Sequence, residues 1–338
     1  MLLIGFRGAQ ASLESPIIND IAAGRVGGVV LLDLDIESGQ RGRNITNPTQ
    51  LKRLTDDLQA SAQIPLFIAV TQEGGRVERL HPGNGFVSSP SAEVLGHQSI
   101  DETSKASTLI GKQLRASGIN LNFAPVVDLQ TPQKNPVIGG LQRSFGSDAQ
   151  LVGQHAKAFI KGHHQQGVLT ALKHFPGHGS STSDSHLGFV DVTPSWRPIE
   201  LEPYRQLIGE GLVDIIMTAH IFNSQLDPKF PATLSEAILN KLLRKSMGFD
   251  GVISTDDLQM GAIANKYARH EAVDLAIQAG ADILLFSNNL RYDPHLALDV
   301  QRHILQQVHS GRIKEARIDA SYQRILALKK KLRAKTPR

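Results

Sequence analysis

The 338 residues contain no cysteine, which excludes disulfides and cysteine-ligated metal and leaves the redox compartment undecided. No apolar run reaches the roughly 18–20 residues that a membrane span requires. The start, Met1-Leu-Leu-Ile-Gly-Phe6, lacks a basic region followed by a long apolar stretch and a cleavage site. It reads as a first strand, and a cytoplasmic location is expected, with the periplasm as the alternative if a leader has been removed. No glycine-rich phosphate loop follows that strand, which counts against an open doubly wound sheet. Strong charge is missing too: the formal balance is +4 with a pI near 9.2. Basic residues mix with acidic ones except in the tail Lys329-Lys330-Lys331-Leu-Arg333-Ala-Lys335. That tail reads as the solvated end of a helix, where cations suit the macrodipole, rather than as a nucleic-acid arm.

What is present is alternation. Apolar runs rich in Val, Ile, Leu and Phe fall at 2–6, 28–32, 66–70, 120–127, 168–174, 215–219, 251–255 and 282–286. Most are nearly continuous, as parallel strands buried on both faces read. Helical patterns lie between them at 48–60, 102–117, 149–166, 201–210, 235–246 and 270–279. Ser235 is placed to cap one of these, and Gly118, Gly167 and Gly280 stand just past helix ends. Two last helices, 294–308 and 318–332, close the assembly or pack on it. Eight strands alternating with helices, without linker or repeat, predict an α/β fold: a single-domain (β/α)8 TIM-type barrel over residues 1–338.

The polar residues collect at one end of those strands. Thr71-Gln-Glu-Gly-Gly-Arg76 follows the third, Asp128 ends the fourth and Lys173-His174 ends the fifth. His220 ends the sixth and Asp256-Asp257 the seventh. In a barrel all of these sit at the C-terminal mouth, where active sites are built. The long connections 79–100 and 130–148 also follow strands, so they hang over the same mouth.

One carboxylate of the Asp256-Asp257 pair can cap the following helix, a duty assigned to Asp257. Asp256 is then free to act as a nucleophile or to stabilise a developing cation. The loop Gly177–Ser185 is too rich in Gly, Ser and Thr to pack a core, yet it leads into the pair Asp184-Ser-His186. An aspartate beside an imidazole fixes its tautomer and stabilises its protonated form. A lone loop histidine is more simply a solvent-exposed residue; the company of Asp256 at the same mouth favours proton transfer. His178 reads as a structural residue of its turn. Lys173 and Arg143 are cations suited to hydroxyls or carboxylates. Gln72-Glu73-Gly74-Gly75-Arg76 lacks the lysine and Ser/Thr of a phosphate loop, so its glycines read as a tight turn beneath a substrate.

A zinc site built from His174, His178, His186, His220 and Asp256 was the competing arrangement. No two of these histidines lie one turn apart on a helix, and no His-x-His follows the first strand. No metal and no cofactor are expected.

Lys173-His-Phe-Pro-Gly-His-Gly followed by Asp184-Ser-His186 resembles the signature of bacterial β-N-acetylglucosaminidases of glycoside hydrolase family 3. Further matches run along nearly the whole chain: Gln72-Glu-Gly-Gly-Arg-Val77, Asn122-Phe-Ala-Pro-Val-Val-Asp128, Arg143-Ser-Phe-Gly-Ser-Asp148, Met217-Thr-Ala-His220, Pro231-Ala-Thr-Leu-Ser235 and Thr255-Asp-Asp257. The resemblance implies retaining, two-step hydrolysis of terminal β-linked N-acetylhexosamine, with small saccharides or muropeptide fragments of peptidoglycan as substrate; separately, a monomer is expected. It implies Asp256 as nucleophile and His186 as general acid, then base, partnered by Asp184. Lys173, His174, Arg143 and Arg79 would hold the sugar, and Asp128 would support the site.

Two positions depart from the family pattern. The Asp that usually precedes Gln-Glu-Gly-Gly-Arg and grips a sugar hydroxyl is Thr71 here. Losing a charge-assisted bond costs about 1.5–3 kcal/mol. The usual Gly-His-Gly-Asp-Thr is Gly-His-Gly-Ser180-Ser181. Both loosen the expectation of which sugar is bound. Another sugar specificity, phosphorolysis by the same dyad, or saccharide binding without turnover are the alternatives.

Overall fold

The computed structural model describes residues 1–131 and 135–333. Residues 132–134, within the 130–148 connection, and the end of the basic tail with Lys335 lie outside the described residues. Eight parallel strands form a closed barrel: β1 (Leu2–Gly5), β2 (Gly28–Val30), β3 (Phe67–Val70), β4 (Leu121–Asn122), β5 (Leu169–Phe175), β6 (Ile215–Thr218), β7 (Val252–Asp257) and β8 (Ile283–Phe286). Closure is made between first and last strands, with Leu3 opposite Leu285 and Ile4 opposite Phe286. The expected barrel is therefore the observed one.

Strand alternation explains why these runs are apolar throughout. Leu3, Val30, Phe67, Ala69, Leu169, Ala171, Ile215, Met217, Val252 and Ile283 pack together inside the barrel. Their neighbours Leu2, Ile4, Val29, Ile68, Ile216 and Ile253 point outward and join the shell core beneath the helices. A strand with both faces covered carries few polar residues before its end, and those it has are hydrogen-bonded, as Ser254 Oγ is to the Thr255 carbonyl. Each buried aliphatic contributes roughly 1.5–3 kcal/mol.

Three expectations need correction. The fourth strand was drawn over 120–127, but regular pairing stops at Asn122. Pro125 has no N–H to donate, and contact with β5 continues irregularly through an isolated Val126–Lys173 bridge. The basic tail is only partly solvated. Lys329 is buried under the barrel, where its Nζ donates to the Gly27 carbonyl at 2.8 Å and lies 4.8 Å from the Phe67 ring centroid. Ile325, Leu328 and Leu332 of the same helix (Glu315–Arg333) close the barrel floor, which draws Lys329 inward with them. The segment 235–246 winds as a π-helix over Ala237–Ser246, though Ser235 Oγ does accept the Ile238 N–H at 3.0 Å.

Candidate active site

The inward-facing parity of the strands carries through to the mouth. Thr71 lies two residues beyond Ala69, Lys173 two beyond Ala171, and Asp256 four beyond Val252. All three line a cavity of about 390 Å³, together with His174, Arg143, Arg79 and His186. Seven of the nine residues singled out from sequence thus share one wall or another of this cavity. The other two, Asp128 and Asp184, each lie behind a histidine that faces it.

Glu73 organises the cations. Its carboxylate takes two bonds from Arg143, Nε to Oε2 and Nη2 to Oε1, both at 2.8 Å. Lys173 Nζ sits 2.6 Å from Oε1. Burial opposes the Glu73 charge, but Arg143 and Lys173 overcome it and hold the carboxyl at about 2. One anion between two cations leaves a net positive charge, with both side chains fixed in direction.

Asp128 is fully buried and ties strand to loop. Oδ2 accepts from His174 Nδ1 at 2.7 Å, and Oδ1 accepts the His178 N–H at 2.8 Å. Burial, with Arg143 and Lys173 close by, pushes the His174 imidazole well below its ordinary value. Its Nδ1–H donates to Asp128, and Nε2 faces Arg143 at 3.4 Å. His178 uses both ring nitrogens on its own loop, Nδ1 with Ser181 Oγ at 2.6 Å and Nε2 with Ser185 Oγ at 3.2 Å.

The turn between them runs against Glu200. A Cβ on Gly177, whose φ is +119°, would lie 2.6 Å from Glu200 Cβ. Past the turn, Asp184 Oδ1 accepts both the backbone N–H of His186 at 2.8 Å and its Nδ1–H at 2.7 Å. The His186 side chain is 58% exposed, so it reaches the cavity from the solvent side. Its backbone is anchored to the segment after β7: Gly261 N donates to the His186 carbonyl at 3.1 Å, and Ala262 N to that of Ser185 at 3.1 Å. Gly261 permits this approach, because a Cβ there would lie 2.8 Å from the His186 oxygen. These two bonds fasten the end of the loop to the segment after β7 in the observed conformation.

Asp256 accepts its neighbour's N–H, Asp257 N to Oδ1, at 2.8 Å. Burial opposes its charge, but His220, His174 and His186 prevail and hold its carboxyl below the usual carboxylate range. Asp257 is not the cap of the next helix, as its position after the strand suggested. Its Oδ1 accepts the N–H groups of Gln259 at 3.0 Å and Ser287 at 3.1 Å, and Ser287 Oγ donates to Oδ2. Helix Gly261–Ala264 starts four residues further on, so Asp257 braces the end of β8 instead. His220 Nε2–H donates to the Asp257 carbonyl at 2.9 Å, which fixes the backbone carrying Asp256 from the β6 side.

With this geometry the chain can be compared with known proteins. The sequence model for the glycosyl hydrolase family 3 N-terminal domain matches residues 7–328. The chain belongs to glycosyl hydrolase family 3. It is 42% identical over 270 residues to a β-hexosaminidase of Tolumonas auensis, covering 78% of this chain and 76% of that protein. A family 3 β-N-acetylglucosaminidase from Paenibacillus sp. str. FPU-7 superposes with a TM-score of 0.89 at 37% identity. That match covers all of this chain and 62% of the Paenibacillus chain, so this chain spans less than two thirds of that protein's length. A β-N-acetylhexosaminidase from Beutenbergia cavernae gives a TM-score of 0.86 at 32% identity, covering 97% of this chain and 96% of that one.

Several residues of this family 3 site escaped the sequence reading. Glu73 was noted only as part of a turn. Its place two residues past Thr71 at a strand end, within reach of two expected cations, was the available signal. Gln72 folds the following loop, its Oε1 accepting the N–H groups of Arg79 at 2.8 Å and Leu80 at 3.0 Å. Asn122 holds that segment in turn, donating to the Gln72 carbonyl at 2.8 Å. Asp33, just past β2, is a buried carboxylate on the cavity wall and had no motif to mark it.

Proposed function

We propose that this family 3 chain is a retaining exo-β-N-acetylhexosaminidase that removes terminal β-linked N-acetylglucosamine, with peptidoglycan fragments as its natural substrate class. The observation that carries the reading is the meeting of an ionised Asp256 with the Asp184–His186 pair at one cavity whose walls also hold Lys173, Arg143, His174 and Arg79. A single pocket of this size at a barrel mouth suits one terminal sugar rather than a long chain.

In the first step an Asp256 oxygen bonds to the anomeric carbon as the glycosidic C–O bond breaks. The Nε2 proton of the His186 imidazolium passes to the leaving oxygen, while Nδ1–H stays on Asp184. In the second step neutral His186 takes a proton from water, whose oxygen bonds to the anomeric carbon, and Asp256 departs as carboxylate. This is the usual division of labour between nucleophile and acid/base, with a histidine–aspartate pair in place of the second carboxylate. Lys173 and Arg143, aimed by Glu73, and His174, aimed by Asp128, hold hydroxyls and the N-acetyl group.

A panel of aryl β-glycosides tests the proposal. Release of aryl alcohol from the N-acetylglucosaminide, lost by about 10³-fold or more in Asp256→Ala, is expected. Sugar 1-phosphate appearing only with added phosphate would replace hydrolysis by phosphorolysis. Sugar binding with equally inert wild type and Asp256→Asn would mark a binding protein.

A further inference from the structure

Asp33 lies three residues past the end of β2, and Thr71 one residue past the end of the neighbouring β3. Regular pairing of the two strands ends with Val30 opposite Ala69, so Asp33 and Thr71 both follow that last pair at the barrel mouth. Asp33, Thr71 and Arg79 all line the cavity that holds Asp256. Asp33 is only 3% exposed, and a buried carboxylate is costly unless its lone pairs are used. One oxygen is used: Oδ2 accepts from Arg41 Nη1 and His81 Nε2, both at 2.9 Å. The other is not. Oδ1 takes no hydrogen bond among the described residues, and its nearest cation is Arg79 Nε at 3.6 Å. Arg79 is equally underused: beyond this ion pair its Nε has no hydrogen-bond partner, and the guanidinium donates no hydrogen bond to any group among the described residues. The two are an ion pair without a direct hydrogen bond, which leaves Oδ1 and the Arg79 N–H groups with bonding capacity to spare.

We propose that Asp33, set beside Arg79, is a charged acceptor for a hydroxyl of the bound sugar. Asp33 thereby supplies from just past β2 the charged acceptor that β3 does not carry at Thr71. This rests on the saccharide reading of the cavity. A carboxylate oxygen open to the cavity accepts a sugar O–H, and the adjacent guanidinium donates to that oxygen or its neighbour. Such paired recognition discriminates the orientation of a hydroxyl, because the epimer or deoxy sugar leaves a carboxylate oxygen without a donor.

Titration calorimetry with free N-acetylglucosamine and its 3-, 4- and 6-deoxy analogues needs no turnover and so separates this proposal from the hydrolase reading. Asp33→Asn is expected to weaken N-acetylglucosamine binding about 10- to 100-fold. For one deoxy analogue, wild type and Asp33→Asn should bind alike, because the contact is already gone. Thr71→Asp should recover part of the loss in Asp33→Asn, yet weaken binding in the wild type by setting two carboxylates side by side. Asp33→Asn binding within twofold of wild type overturns the proposal. So does an equal loss on the parent sugar and all three deoxy analogues, which would assign Asp33 to structure alone. If affinities follow the expected pattern while no aryl glycoside is cleaved, the acceptor role of Asp33 stands and only the hydrolase reading falls.

Discussion

Glu73 is the residue on which the cation wall depends, since Arg143 and Lys173 are both buried against it. Removing one partner of a buried ion pair costs about 3–5 kcal/mol, because the remaining charge is left uncompensated. Glu73→Gln is therefore expected to lower stability by roughly that amount in denaturant unfolding. Misaimed Arg143 and Lys173 should also reduce kcat/KM by about 10²-fold. The sign with pH follows from a folded pKa of about 2 against an ordinary 4.5: the ion-pair stabilisation is present above the ordinary range and lost as pH falls towards 2. A Gln variant with wild-type stability at neutral pH would contradict the clamp. At this scale the sequence was legible where a residue type matched a chemical task. Asp256, His186, Lys173 and Arg143 stood out because polar groups at the ends of buried strands need a reason. Glu73 and Asp33 were not legible, because their roles depend on which cations the fold brings near them.

Among the elements, the loop from Phe175 to His186 joins the fixed half of the site to the half that moves a proton. Its inner part is packed on Glu200, whose carboxyl oxygens find no donor of good geometry. Burial, opposed by Ser180, pushes that carboxyl up to about 7. A carboxyl whose folded pKa is raised favours folding when protonated. Its contribution is present at low pH and lost as pH rises through about 7. Glu200→Gln keeps the shape without the charge. The Gln variant should gain on wild type by on the order of 3 kcal/mol between about pH 5 and about pH 8.5. A difference that does not change with pH would show that Glu200 is not ionising within the fold. Helix and strand positions followed from apolar period, and the long connections were placed at the mouth. The early end of β4 at Asn122 and the π-helix were hidden, because they arise from pairing and packing rather than from local preference. Asp257 shows the same limit: a cap and a brace look identical in sequence, and only the nearness of Ser287 decides between them.

For the whole molecule, the barrel separates stability from chemistry by its two ends. The floor is held by Asp282, whose buried carboxylate meets Arg244 at 2.5 Å, Arg324 at 3.2 Å and Arg317 at 3.5 Å. It also accepts from Ser321 Oγ at 2.6 Å and the Ile253 N–H at 2.9 Å. Asp282→Ala leaves three guanidinium groups facing one another and should destabilise the fold by about 3–5 kcal/mol. Because the floor is remote from the mouth, KM should be unchanged in whatever fraction stays folded. A raised KM would show that the two ends are coupled. The barrel itself was legible because its strands are buried on both faces. What closure adds is the meeting of Asp256 on β7 with His186 from the loop after β5. The most direct test of that meeting is mass spectrometry of the protein trapped with a slow-turnover 2-acetamido fluorosugar. One glycosyl adduct is expected, on the peptide containing Asp256, accumulating and then decaying as water is activated by His186. An adduct on another residue, or turnover with no covalent species and inversion at the anomeric carbon, would contradict it.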